Sequence, residues 1–255
     1  MRHATGLPRA VLNSLIAPVS KGVARYDPIA HYDMPRTFLD IFLQTRAYTK
    51  TTIERMRTLY DSVCYIHNAG IAGSIVECGV WRGGSVMVAL MTLLKLNCND
   101  RQVYLYDTFN GMSAPTDVDI DWRGKPASEM ATRCGVADFS DVCNVPIDAV
   151  RAAVQQTQYP MGNVHFVKGK VEDTIPGTLP GKIALLRLDT DFYESTKHEL
   201  IHLYPLLAKR GVLIVDDYGH FKGVKQAVHE YMAELGQTWL LQRIDCTGRL
   251  IIKQE

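Results

Sequence analysis

Leu186-Arg187-Leu188-Asp189-Thr190-Asp191 and Gly211-Val212-Leu213-Ile214-Val215-Asp216-Asp217 are two apolar runs that stop abruptly at carboxylates. A short apolar run bounded by turn and helix signals reads as a buried parallel strand. The carboxyl ends of such strands are where open α/β sheets take their ligands. Two neighbouring strands of this kind aim Asp189, Asp216 and Asp217 at one point. Three carboxylates brought together repel unless a positive charge stands between them. A hard divalent cation with oxygen ligands, Mg²⁺ first, meets that need. Taken singly, each aspartate reads as a cap for the helix that follows. The three together favour a metal site.

Outward from these runs the pattern alternates strand and helix. Residues 74–78, 103–107 and 164–167 read as three further strands, and 183–188 and 212–215 as the two already quoted. Residues 85–96, 194–207 and 224–235 read as helices, with Gly211 and Gly236 as stops beyond the last two. Residues 239–241 and 250–252 read as a closing strand pair joined through Cys246-Thr247-Gly248-Arg249, a connection short enough for antiparallel pairing. Residues 36–70 read as helical, with Phe38, Ile41 and Phe42 on one face and Ile53, Met56, Leu59 and Tyr60 on another. A long insertion from Asn110 to Tyr159 begins polar, turns helical at 147–158, and is placed to act as a lid. The domain reading is an N-terminal arm and helical extension over 1–70, and a catalytic domain over 71–255 with the lid at about 110–159.

The chain has 255 residues, 47% of them hydrophobic, ample for a buried core. A formal charge of +1 with interspersed signs carries no nucleic-acid footprint. The six cysteines form no CxxC pair and show no zinc spacing, so they read as reduced thiols of a cytoplasmic protein. No stretch reaches the roughly 18 apolar residues of a membrane span. Arg2 and Arg9 precede a short apolar stretch that resembles a weak signal peptide, but Asn13, Ser14 and Pro18 interrupt it. That stretch reads as an N-terminal arm or short helix.

Glu77-Cys78-Gly79-Val80-Trp81-Arg82-Gly83-Gly84-Ser85 joins the first strand to its helix. Glycine allows a tight turn and close backbone approach to a ligand, and the helix start offers free N–H groups. The spacing is neither the dinucleotide fingerprint nor a P-loop. Asp107, ending the second strand, is placed to accept hydrogen bonds from a ribose diol. Together these features say nucleoside cofactor without naming it.

The segments Val76 to Ser85, Tyr106 to Gly111, Gly169 to Thr174, Leu186 to Thr196 and Val215 to Gly219 together resemble the macrocin O-methyltransferase family. The resemblance runs in order over about residues 38–253; the long insertion keeps its place but little recognisable sequence. It implies a Rossmann-like class I methyltransferase of the α/β class. The mostly parallel seven-stranded sheet would carry helices on both faces and one antiparallel strand from the final hairpin. It implies S-adenosylmethionine and Mg²⁺ as cofactors and a sugar hydroxyl on a natural product or glycan as acceptor. Carried over residue by residue, Glu77, Cys78, Gly79, Val80 and Trp81 would cradle the methionine part of the cofactor. Asp107 would hold the ribose, Thr108 and Phe109 would line the adenosine site, and Lys170 and Val171 would approach adenine. Tyr48 and Thr49 match a segment that closes over the cofactor. Asp189, Asp216 and Asp217 match the metal ligands, in agreement with the strand reading, and Asp189 is also implied as the base. A homodimer or higher homo-oligomer is expected.

Asp191 and His220 are alternative bases, although each also reads blandly, as a helix cap and a surface histidine. Small catechol methyltransferases of the same architecture place a base lysine three residues after the first metal aspartate; here that position is Phe192. His198 and His202 have metal-capable spacing but no third partner in the sequence nearby, and Tyr193 and Tyr218 read as packed phenols or sugar contacts. The competing functional readings are a nucleoside-binding scaffold derived from a methyltransferase, and a methyltransferase acting on a phenolic hydroxyl.

Overall fold

The computed structural model describes residues 32–136 and 139–254. The expected arm or short helix near residues 10–17 lies outside them. Seven strands form one sheet in the order β3-β2-β1-β4-β5-β7-β6. They are β1 (Ser74–Cys78), β2 (Val103–Asp107), β3 (Val164–Lys168), β4 (Ile183–Leu188), β5 (Leu207–Val215), β6 (Gln242–Arg243) and β7 (Arg249–Ile252). The first five are mutually parallel, and β7 pairs antiparallel with both β5 and β6. One strand therefore runs against the others, as expected from a terminal hairpin. No described helix is long and apolar enough to cross a membrane.

Helices α1 (Arg36–Thr45), α2 (Ile53–Asn68) and α3 (Gly84–Lys95) lie together on one face. Residues 84–90 of α3 are all buried, because the sheet covers one side and α1 and α2 cover the other. That explains a helix apolar all round rather than striped. Phe38, Phe42, Met56, Leu59 and Leu90 share the core on this face with Ile75 and Leu105. Helices α7 (Tyr193–Leu203) and α8 (Lys222–Glu234) cover the opposite face, burying Leu200, Leu203, Val224 and Val228 against Val76, Leu186 and Leu213. The insertion carries short helices α4 (Met130–Cys134) and α5 (Ile147–Gln155), and α6 (Val171–Thr174) follows β3.

Two sequence expectations are corrected. Helix α7 ends at Leu203, not Leu207, and a 3₁₀ turn at Tyr204–Leu206 leads straight into β5. Pro205 has no N–H to continue the helical ladder. Gly211 is consequently inside β5 rather than past a helix end. Arg210 before it has φ +67, and a Cβ on Gly211 would come within 2.8 Å of the Ala208 carbonyl oxygen. The second correction is Trp239–Leu241, which is not a strand; the edge strand is Gln242–Arg243. Trp239 instead packs its ring against Tyr204 and Tyr231, at 4.7 and 6.0 Å between centroids. Aromatic burial on α8 outweighs strand propensity there.

The polar start of the insertion is pinned rather than loose. Asp119 is fully buried and accepts the backbone N–H of Tyr193 at 2.8 Å, capping α7 from a distant segment. Asp121 accepts Arg133 Nη1 at 2.8 Å and two backbone N–H groups, and the Arg133 bond leads in lowering its pKa to about 2.

The N-terminal helices meet the sheet domain at one tight crossing. A Cβ on Gly84 would lie 2.6 Å from the Tyr48 carbonyl and 2.8 Å from Thr49 Cβ. Gly84→Ala should therefore destabilise the protein by about 1–3 kcal/mol, the range for forced overpacking. Urea unfolding measures this, and wild-type stability would show that the Tyr48–Thr49 segment yields freely.

Candidate active site

The site forms where the parallel strands end. Glu77 on β1 sits in register with Arg187 on β4, and Leu188 with Val215 on β5. The ladder continues one step further, with Asp189 N–H bonding Cys78 O at 2.8 Å and Asp216 N–H bonding Leu188 O at 2.9 Å. This levels Asp189 with Asp216 and Asp217, and their ligand oxygens lie within 4.8 Å of one another. Among the described residues this is the one cluster of three candidate metal ligands.

Arg187 lies beneath the cluster, with 4% of its side chain exposed. Its Nη1 donates to Glu77 Oε1 at 2.7 Å and pairs with Asp189 Oδ2 at 2.8 Å; its Nη2 donates to Asp216 Oδ1 at 2.8 Å. Burial opposes its charge, yet Asp189, Asp216 and Glu77 outweigh burial and hold it protonated. A second guanidinium, Arg55 from α2, reaches Asp216 Oδ2 from the other side. Burial pushes the Asp189 carboxyl well above the ordinary carboxylate range, with Asp216 and Asp217 adding to the push and Arg187 opposing it. Asp217 is raised for the same first reason, with Asp191 and Asp216 next. Asp191, in a left-handed conformation at φ +70, is pushed up to about 8 by burial and then by Asp189 and Asp216.

Five carboxylates, Glu77, Asp189, Asp216, Asp217 and Asp245, thus share two guanidiniums, Arg187 and Arg55, and without a further cation burial and mutual repulsion push Asp189 and Asp217 towards their neutral forms. Oδ2 of Asp217 is buried and has no hydrogen-bond partner. An orphaned carboxylate oxygen costs free energy unless something positive meets it. The donor set, its spare charge and this oxygen all fit a divalent cation such as Mg²⁺.

The cluster opens into a cavity of about 410 Å³. Gly79, Val80 and Trp81 form one wall. Gly79 has φ +84, and a Cβ there would fall 2.0 Å from the Asp189 carbonyl oxygen, so only glycine lets β1 and β4 end side by side. Asp107 braces the turn: its Oδ2 accepts Val80 N–H at 2.6 Å and Trp81 N–H at 3.0 Å, and its Oδ1 accepts Phe109 N–H at 2.7 Å. Two carboxylate oxygens offer about four acceptor positions, so with three taken by N–H groups one position at most is left for a ribose hydroxyl.

Of the residues expected at the site, Tyr48, Thr49, Gly79, Val80, Trp81, Asp107, Thr108, Lys170, Val171, Asp189, Asp216 and Asp217 all line this one cavity. Glu77, Cys78 and Phe109 are not among its lining residues. Glu77 is buried, bonded to Arg187 and Ser85 Oγ. Cys78 is buried, and burial pushes its thiol well up. Phe109 packs against Phe166 at 6.2 Å.

Lys50, Thr51, Arg55, Asp191 and His220 also line the cavity, with Met112, Met130 and Cys143 from the insertion. His220 is therefore not a plain surface histidine, and burial lowers its pKa. Arg187 was visible as a charge inside an apolar strand, which always demands a buried partner. Arg55 gave no such signal, since a lone arginine on an amphipathic helix looks solvent-facing. Tyr193 and Tyr218 are packed phenols with bonded hydroxyls, to Glu230 at 2.6 Å and to His229 at 2.7 Å. His198 turns to the Ile175 carbonyl at 3.0 Å.

A macrocin-O-methyltransferase (TylF) family model matches residues 35–253. The 8-demethyl-8-(2,3-dimethoxy-alpha-L-rhamnosyl)-tetracenomycin-C 4'-O-methyltransferase of Streptomyces olivaceus is 32% identical over 202 residues, covering 79% of this chain and 74% of that protein. The mycinamicin III 3''-O-methyltransferase of Micromonospora griseorubida is 30% identical over 206 residues, covering 80% and 78%. The solved O-methyltransferase NovP superposes with a TM-score of 0.72 at 30% identity, over 82% of this chain and 83% of its own. The calicheamicin methyltransferase CalS11, at 17% identity and a TM-score of 0.57, shares the fold. The strand order, the acidic strand ends and these likenesses agree: the chain belongs to the macrocin O-methyltransferase family.

Proposed function

We propose that this O-methyltransferase moves a methyl group from S-adenosylmethionine to a sugar hydroxyl of a natural product or glycan, with Mg²⁺ held by Asp189, Asp216 and Asp217. The observation that carries the reading is the orphaned, buried Oδ2 of Asp217, in a carboxylate cluster that opens into the same cavity as the glycine turn. The names of the relatives, O-methyltransferases of a rhamnosyl-tetracenomycin and of mycinamicin III, support the acceptor class. A nucleoside-binding scaffold would have no use for a cluster with surplus charge. A reducing, cytoplasmic setting accords with cysteines that are all free thiols.

S-Adenosylmethionine supplies an electrophilic methyl group, and Mg²⁺ a Lewis acid that favours the alkoxide form of an acceptor hydroxyl. The chain's own residues do the rest. Gly79 to Trp81 present backbone close to the methionine end, and Asp107 holds both that turn and the ribose. Thr108, Lys170 and Val171 border the adenosine end, while Tyr48 and Thr49 close the cavity from the N-terminal segment. Oδ2 of Asp189 is committed to Arg187, so Oδ1 is the oxygen open both to the cation and to the acceptor proton, and Asp191 and His220 line the same cavity as alternative bases. Met112, Met130 and Cys143 place the insertion on the same cavity, which makes the lid part of the acceptor's surroundings. The helical extension and the catalytic domain over 71–255 thus work as one unit.

Asp189→Asn keeps size and removes one charge. It should abolish turnover while S-adenosylmethionine affinity, read by calorimetry, stays within a few-fold. Excess chelator should silence the wild type, and added Mg²⁺ should restore it. Full methyl transfer in chelator with a verified sugar acceptor would defeat the metal reading.

Asp107→Ala removes charge-assisted bonds worth roughly 1.5–3 kcal/mol each. Cofactor affinity should fall about tenfold or more, with Mn²⁺ binding nearly unchanged. Wild-type cofactor affinity in this variant would place the ribose elsewhere.

A further inference from the structure

Arg55 is a cationic residue of the N-terminal helices that reaches the acidic cluster. It stands in the first turn of α2, whose cap Thr52 accepts the Arg55 N–H at 3.3 Å. Its side chain is 13% exposed and lines the cavity. It is shared between two carboxylates. Nη1 bonds Asp216 Oδ2, and Nε lies 3.0 Å from Asp245 Oδ2, an ion pair rather than an aligned hydrogen bond.

Asp245 is held firmly without Arg55. Its Oδ1 accepts the N–H groups of Thr247 and Gly248 at 2.9 and 2.7 Å, and its Oδ2 accepts Thr52 Oγ1 at 2.7 Å. Asp216 is different. Its Oδ1 belongs to Arg187, and Arg55 takes its Oδ2. With both oxygens facing guanidinium groups, Asp216 is the least available of the three proposed ligands, whereas Asp217 keeps a free buried oxygen. Arg187 is locked from below by Glu77 and Asp189 and cannot leave. Arg55 faces the cavity and has a second carboxylate within reach.

Resting on the metal reading above, we infer that Arg55 is a positioning residue that occupies the cation's side of Asp216. It sets the affinity of the cluster for a divalent cation, and shifts onto Asp245 when the cation is taken up. The N-terminal helices thereby tune the metal site without ligating it. Residues that orient metal ligands typically change affinity by about 10–100-fold.

The test is Mn²⁺ binding to the full chain, without cofactor or acceptor, followed by electron paramagnetic resonance of the free ion. Mn²⁺ shares the oxygen preference of Mg²⁺. Arg55→Gln removes the competing charge and should bind Mn²⁺ about tenfold tighter or more. Asp245→Asn removes the alternative partner, so Arg55 should stay on Asp216 and Mn²⁺ should bind about tenfold weaker. In the double variant the Asp245 effect should disappear, because it acts through Arg55. Unchanged or weaker binding by Arg55→Gln overturns the inference, as does an Asp245→Asn effect of equal size in both backgrounds. Arg55→Lys, which keeps the charge but not the two-sided fork, serves if the glutamine variant does not fold; it should bind Mn²⁺ tighter than wild type, and equal or weaker binding overturns the inference. A wild type that binds no Mn²⁺ would sink the metal reading and this inference together, whereas Mn²⁺ binding indifferent to Arg55 would sink this inference alone.

Discussion

The buried guanidinium of Arg187 ties the sheet to the site. It bonds Glu77 on β1, Asp189 beyond β4 and Asp216 beyond β5, joining the ends of three adjacent strands. Burying an ion in protein costs several kcal/mol, and only close, well-oriented partners recover it. Arginine suits the task because its planar fork presents several N–H groups at fixed angles and stays charged. Once Arg187 is in place, the surrounding choices narrow. Glu77 also takes the hydroxyl of Ser85, which fixes the start of α3. Gly79 must lack a side chain, since the Asp189 carbonyl fills that space.

The same arrangement explains why the strand ends carry more negative charge than the protein itself balances. Arg187 serves as a floor under the carboxylates and leaves their upper oxygens facing the cavity. Arg55 is the second cation and arrives from a different part of the chain. Between them they make the acidic cluster foldable without fully neutralising it. A site of this type is stable enough to form and unsatisfied enough to bind.

The cavity walls divide by origin. The parallel sheet contributes the turn at Gly79 to Trp81, the Asp107 brace and the acid cluster, all at strand ends where backbone geometry is rigid. The N-terminal segment and the insertion contribute Tyr48 to Thr51, Met112, Met130 and Cys143. Polar pins hold the insertion, Asp119 on the N-terminus of α7 and Asp121 on Arg133, and the N-terminal segment reaches it through Tyr48 on Gln156 and Lys50 on Cys143. A rigid chemical floor under separately anchored walls allows the acceptor side to be shaped independently of the reacting groups.

The parallel strands and their acidic ends at Asp189, Asp216 and Asp217 were legible in the sequence because each is local. An apolar run that stops at a carboxylate states both its burial and its ligand end within a few residues. Where neighbours in space decided the outcome, the sequence misled. The pairing of Leu207 with Ile183 put Gly211 inside β5, and the rings of Tyr204 and Tyr231 drew Trp239 out of the sheet. Asp107 looked free for a ribose, yet it also braces the turn in front of it. Glu77 sat in the quoted motif beside Cys78, but only the register of β1 against β4 showed it to be Arg187's partner. Arg55 was silent because nothing in an amphipathic helix marks which surface arginine will meet a carboxylate 161 residues away. The sequence by itself determined the fold class and the acidic strand ends, since periodicity and burial are short-range properties. Only the tertiary structure decided which cations meet those carboxylates and which oxygens they leave open, because ion pairing depends on distances that only packing sets.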